Sequence, residues 1–230
     1  LGVVNASGVN VDYSSNGSGI TGSGSTNNQY YGGSGGSHGG IGAGRDKLSS
    51  CFGTVMSPWH YGGRGGRSGI PINNGAAAVG GAGGGRIRIS AGMNLTIDGT
   101  VSANGASGGN HGGSTHQGAG GGGAGGSIQL AAVSMIGSGT VSASGGAGGD
   151  PYSDSFTSAG GGGGGGRILV KYATSLSGSL RRKMYAYGGA CQGCKPNMPY
   201  WPTNMYQGAA GTVMRVIGGV PSLLKIANAD

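Results

Sequence analysis

The chain has no glutamate, and its acidic residues are six aspartates in 230 positions: Asp12, Asp46, Asp98, Asp150, Asp154 and Asp230. A polysaccharide-cleaving or proteolytic site built on grouped carboxylates therefore has few residues to draw on. Charged residues make up only 9% of the chain. That speaks against simple disorder, because disordered chains combine high charge with few apolar residues. Proline is scarce (7), and glycine follows no Gly-X-Y period, so a collagen triple helix is excluded. No apolar run reaches 18 residues, so no membrane-spanning helix is expected. No signal peptide is visible and the chain starts at Leu1, as expected of a processed or partial chain.

Three cysteines are too few for a disulfide-dense scaffold. Cys191 and Cys194 have CxxC spacing. A zinc site would need a second pair of ligands, and the histidines (His38, His60, His111, His116) are dispersed. A redox motif would need a βαβ context. A disulfide is the expected use of Cys51, Cys191 and Cys194, and the spacing does not say which two pair.

What the chain has in excess is glycine, 61 residues, against an average usage near 7%. The glycines are organised. The segments Gly85-Arg86-Ile87-Arg88-Ile89, Gly126-Ser127-Ile128-Gln129-Leu130 and Gly166-Arg167-Ile168-Leu169-Val170 each follow a glycine run, about 40 residues apart. Each is followed by a second strand signal: Thr100-Val101-Ser102-Ala103, then Thr140-Val141-Ser142-Ala143, then Lys183-Met184-Tyr185-Ala186. Gly211-Thr212-Val213-Met214-Arg215-Val216 opens a fourth unit. Alternation has period two. Ile87 and Ile89, Leu95 and Ile97, and Val101 and Ala103 face one way, while Arg88, Thr96 and Ser102 face the other, as in half-buried strands. Helical periodicity is absent, and glycine disfavours helix by about 1 kcal/mol per residue relative to alanine.

The expected fold is therefore all-β, a parallel β-solenoid or sandwich of short strands. Single units cannot bury their own apolar face, and stacking solves this. The glycine tracts at 105–126 and 145–166 are expected to be ordered, as threefold polyglycine helices lying side by side. Backbones without side chains can approach closely, and neighbours can satisfy one another's N–H and C=O groups. The whole of 1–230 reads as one domain, with an irregular N-terminal part (1–82), repeats over 83–217 and a C-terminal strand (218–230). The stretch 191–206, rich in proline and aromatics, reads as an insertion loop.

Candidate sites are weak. Matches to GxGxxG near 80–85 lack the helix that a dinucleotide site needs. Asp150 and Asp154 read as turn formers, and His111 and His116 as satisfied or solvent-facing histidines. No catalytic residue, cofactor or metal ligand is expected. Basic residues give a net charge of +8 but are scattered, with one cluster at Arg181, Arg182 and Lys183, so nucleic acid is not an expected partner. Asn5, Asn16 and Asn94 begin Asn-x-Ser/Thr sequons and are candidates for N-glycosylation. Tyr200 and Trp201 in the proline-rich loop, with Trp59 and Tyr61 in a second cluster, are the candidate contact residues for a glycan, a receptor or another copy.

The combination of Gly33-Ser34-Gly35-Gly36-Ser37-His38-Gly39-Gly40, Gly-Gly-Gly-Arg-Ile at 83–87 and Gly-Gly-Gly-Arg-Ile at 164–168, Ala186-Tyr187-Gly188-Gly189 and Gly208-Ala209-Ala210-Gly211-Thr212-Val213 resembles glycine-rich extracellular repeat proteins. These include flagellar-hair (mastigoneme) and sexually induced surface proteins of algae and other protists. A weaker similarity is to phage adhesin tips with bundled polyglycine helices. The resemblance implies an extracellular or cell-surface, non-enzymatic, filament-forming protein that associates with itself. The Val-rich N-terminal strand and Leu223-Leu224-Lys225-Ile226 are the expected joining elements, and an adhesin or glycan-binding tip is the alternative.

Overall fold

The computed structural model describes residues 2–9, 32–44, 50–69, 77–111, 118–151, 159–192, 194 and 207–226. They form ten strands and no α-helix. Sheet 1 has the order β1 (Val3–Asn5), β4 (Thr100–Ser102), β6 (Thr140–Ser142), β8 (Met184–Tyr185), all parallel. Sheet 2 has the order β10 (Val220–Lys225), β9 (Thr212–Ile217), β7 (Arg167–Leu176), β5 (Ser127–Ile136), β2 (Arg86–Ser90), with β3 (Asn94–Thr96) also on β5. All its pairings are parallel except the terminal β9–β10 hairpin.

Equivalent positions of successive units pair directly: Ile87 with Ile128, Ile128 with Ile168, Ile168 with Val213. In sheet 1, Val101 pairs with Val141 and Val141 with Met184. These residues form one apolar core together with Leu130, Val170, Ile97, Met135 and Leu180. A one-residue slip would turn every one of them to the opposite face, so burial fixes the register. Burying each large aliphatic side chain contributes about 1.5–3 kcal/mol. Ile89 and Leu95 are only half-buried, because β2 and β3 lie at the edge of the sheet, each paired to β5.

Each strand of sheet 2 except β3 and β10 is entered from a glycine tract: 77–85 before β2, 118–126 before β5, 159–166 before β7 and 207–211 before β9. Each of β4, β6 and β8 runs out into another: 103–110, 143–150 and 186–191. Segments 33–44 and 61–69 form a third layer.

The tract 118–126 shows the rule of packing. The N–H groups of Gly120, Gly123 and Gly126 donate to the carbonyls of Gly109, Ala106 and Ala103 at 2.7–2.9 Å. Those of Gly121 and Ala124 donate to Gly66 and Gly63, and those of Gly122 and Gly125 to Gly161 and Gly164. Its carbonyls accept from Gly81 and Gly84, from Gly146 and Gly149, and from Gly36. Residues three apart address the same neighbour, and six segments surround the tract. Backbone groups that burial would leave unsolvated are thereby paired. The approach leaves no room for side chains: a Cβ on Gly123 would stand 2.0 Å from the Ala82 carbonyl oxygen.

The tract ends remote from the sheets lie together. Ser68 bonds Ala78, Gly109 bonds Val79, Gly120 bonds Gly109, Gly149 bonds Gly120 and Gly160 bonds Gly149. The connections 70–76, 112–117 and 152–158 lie outside the described residues, and the last two fall within the tracts 105–126 and 145–166 expected to be ordered.

Candidate functional site

The most elaborate side-chain arrangement lies where segment 50–61 crosses the strands of sheet 2. One register row of that sheet consists of Arg86, Ser127, Arg167 and Thr212. Three of the four hold the segment. Arg167 donates from Nε and Nη2 to the Phe52 carbonyl at 3.2 and 2.9 Å. Ser127 Oγ donates to the His60 carbonyl at 2.7 Å and accepts the His60 N–H at 3.1 Å. Arg86 reaches the Trp59 carbonyl at 3.5 Å. These residues occupy the second position of each Gly-Arg-Ile or Gly-Ser-Ile lead, so the repeat motif doubles as the tether for a strap.

Beneath the strap is His38, fully buried, at the reversal between 33–37 and 40–44, where its N–H bonds the Gly40 carbonyl. Its Nδ1 lies 2.8 Å from the Gly125 carbonyl oxygen, and as the proton donor it fixes the tautomer. Nε2 is buried and has no hydrogen-bond partner among the described residues. The Phe52 ring lies 4.9 Å from the His38 ring and meets His60 edge-on at 5.8 Å. Burial pushes the His38 pKa down to about 4; the Gly125 carbonyl opposes this, and the nearby Arg167 and His60 add to the depression. The arrangement holds a neutral imidazole as a structural wedge.

Trp59 and Tyr61 are brought together with Arg86. The guanidinium lies 4.0 Å from the Tyr61 ring centroid and 4.7 Å from that of Trp59, and Nη2 donates to Tyr61 Oη at 2.9 Å. Trp59 keeps 45% of its surface exposed. The stacked trio covers the edge strand β2, and each cation–π contact is worth about 0.5–1 kcal/mol at such an exposed site. Beyond the strap a groove of about 470 Å³ crosses the strands, lined among others by Met56, Ala131, Ala132, Lys171, Tyr172 and Val216. Among the described residues no carboxylate or histidine lines it.

Cys191 and Cys194 form a disulfide, and Cys51 is a free, exposed thiol whose pKa burial pushes up. Asn5 lies in exposed β1, where its Oδ1 accepts the Ser7 N–H at 2.9 Å, and Asn94 is exposed in β3. Asn16, Tyr200, Trp201, His116 and Asp154 lie outside the described residues. Asp150 donates its N–H to Asn110 Oδ1, and its carbonyl accepts from His111 N–H. Lys183 binds the Ser138 carbonyl and Arg215 the Arg181 carbonyl, so the basic cluster at 181–183 takes part in turn contacts. Among the described residues no group of three or more His, Cys or Asp is placed to hold a metal ion, and no helix is long and apolar enough to cross a membrane.

The sequence singled out Trp59 and Tyr61 as contact residues, but it gave no site role to Arg86, His38, Phe52 or Arg167. The signal available was the polar residue repeated just before each inward isoleucine. No protein-family model matches this chain, and neither a curated protein nor a solved structure is significantly similar to it.

Proposed function

We propose that this chain is a non-catalytic structural domain of an extracellular filament or surface coat of flagellar-hair or fibril type. The reading is carried by one observation: a block of backbone, hydrogen-bonded on all sides of tract 118–126, continues into two sheets of stacked, in-register strands. In this reading the tracts are polyglycine helices with three residues per turn, as the period of three in their donors suggests. The units of about 40 residues are coils of a parallel solenoid. Such a body is stiff, because bending it breaks many buried hydrogen bonds at once, each costing about 1–3 kcal/mol when orphaned. Stiffness suits a load-bearing part. Its ends also differ: β1 and β10 lie at opposite ends of the stack.

The test is concentration-dependent assembly of the purified chain, followed by light scattering and negative-stain electron microscopy. Fibres or ordered sheets support the proposal. A strict monomer at millimolar concentration refutes it. Hydrogen exchange tests the glycine helices, with slow exchange expected over 118–126 and 159–166.

A second reading, an adhesin or glycan-binding tip, is favoured by the gathering of tract ends on the side away from the sheets. The sequence joining those ends holds Tyr30, Tyr31, Tyr152, Phe156, Tyr200, Trp201 and Tyr206. Replacing Tyr200 and Trp201 by alanine separates the readings. Loss of glycan or cell binding with assembly intact selects the adhesin.

A further inference from the structure

We infer that copies of this chain join head to tail, with β1 of one copy adding in parallel to the open edge of β10 of the next. This rests on the filament reading above and specifies its partner and joint. β10 is exposed along its whole length, with Val220, Leu223 and Leu224 at 65%, 38% and 51% exposure and Ile226 just beyond it at 64%. β1 shows Val3 and Val4 at 69% and 47%. Among the described residues each strand pairs on one side only: β1 with β4, β10 with β9. Exposed apolar edge strands are templates for further pairing, and contiguous apolar surface of this kind marks an interaction site.

Chain direction selects the arrangement. The chain travels out along sheet 2 and returns along sheet 1, so strands of the two sheets run oppositely. β10 is antiparallel to β9 and so runs in the sense of β4, β6 and β8. Its end also comes beside sheet 1, where Lys225 shares a small cavity with Met184 and Tyr187. An incoming β1 placed parallel on β10 therefore repeats the relation that β1 already has with β4, and both copies keep one orientation. A contact of this heterologous kind propagates rather than closes.

Length selects the register. Pro221 withholds a donor, and the pairing with β9 shifts between Pro221 and Leu223. The regular part of β10 is thus Leu223–Lys225, three residues, matching the three of Val3–Asn5. Val3 then lies opposite Leu223, Val4 opposite Leu224 and Asn5 opposite Lys225. A twofold antiparallel β10–β10 joint, centred on Leu224, would instead close on itself and stop growth at a dimer. A glycan on Asn5 would cap the β1 edge, which makes that sequon a control point.

The experiment uses unglycosylated full chain carrying Cys51→Ser. Val4→Cys and Leu224→Cys are introduced into separate preparations, mixed, and oxidised mildly at assembling concentration. The mixed Val4–Leu224 disulfide is expected as the main product, with same-variant dimers rare. Leu224→Glu is expected to raise the critical concentration roughly tenfold or more. Assembly with no mixed product, or with Leu224–Leu224 dimers dominant, overturns this joint but leaves the filament reading standing. A parent chain that never assembles overturns the filament reading itself.

Discussion

Replacing Gly123 by alanine tests whether the glycine block is as closely packed as its hydrogen bonds indicate. The added Cβ would stand 2.0 Å from the Ala82 carbonyl oxygen and 2.5 Å from its carbon, where an ordinary contact is about 3.5 Å. Ala82 must therefore move by more than 1 Å, by roughly the difference between those distances. Its carbonyl accepts the Ala106 N–H at 2.8 Å, and its neighbours Gly81 and Gly84 donate to Gly121 and Ala124 at 2.8 Å. Displacing this segment puts about three buried hydrogen bonds at risk, each worth about 1–3 kcal/mol if its groups are left unpaired. The gain from a less flexible unfolded chain, about 0.4–1 kcal/mol, has the opposite sign and is smaller. A net loss of about 2–8 kcal/mol follows, which in a chain of this size lowers Tm by roughly 4–32 °C. Gly92→Ala is the control, since nothing lies within 4 Å of its added Cβ, and Gly109→Ala is intermediate, with its nearest contact, to Val79, at 3.2 Å. Differential scanning calorimetry should rank the three as Gly92, Gly109, Gly123 in increasing damage. A Gly123→Ala chain melting within 2 °C of the parent, an interval corresponding to about 0.5–1 kcal/mol, would refute the close-packing argument.

Three further outcomes are expected. His38 is neutral in the fold, with its pKa at about 4 against about 6.5 when unfolded. The unfolded chain thus binds the extra proton first, and stability is level above pH 6.5. It falls by about 1.4 kcal/mol per pH unit down to about 4, some 3 kcal/mol in all, and levels below that. Urea midpoints across this range in the parent and in His38→Gln measure it, and an equal slope in both chains would exclude His38 as the source. Ile128→Ala, fully buried at the centre of sheet 2, should cost about 2–5 kcal/mol, whereas Ile136→Ala, at 49% exposure, should cost under about 1 kcal/mol by chemical denaturation. Arg167→Met removes both donors to the Phe52 carbonyl and should open the strap to limited proteolysis between residues 50 and 61, with about 1–3 kcal/mol of stability lost; an unchanged cleavage pattern would show that the strap is held by other contacts.

Much of this architecture could be read in advance because it is periodic. Alternation at Ile87 and Ile89 or Ile128 and Leu130 is a local property, since a strand must present successive side chains to opposite faces. The spacing of the four leads shows which strands are equivalent, and parallel pairing of Ile87, Ile128, Ile168 and Val213 follows that order. The strap was not legible. Its tethers, Arg86, Ser127 and Arg167, differ in chemistry, and their carbonyl partners at Trp59, His60 and Phe52 carry no side-chain signature. The pairing of Cys191 with Cys194, leaving Cys51 free, was equally undetermined by spacing. The part from 1 to 82 reads as irregular, yet 33–44 and 61–69 supply the third layer of hydrogen bonds around tract 118–126.

By itself the amino-acid sequence determined that the chain is built of β-strands, how the strands repeat, which side chains turn inward and where backbones can meet without side chains between them. Only the tertiary structure decided which glycine tract lies against which, how His38 is sealed beneath Phe52, and that β10 turns back antiparallel on β9 at one end. The reason is that a side chain marks its own face of a strand, whereas a glycine marks none. Its neighbours are chosen by hydrogen bonds between segments far apart in the chain, and those exist only once the whole has folded.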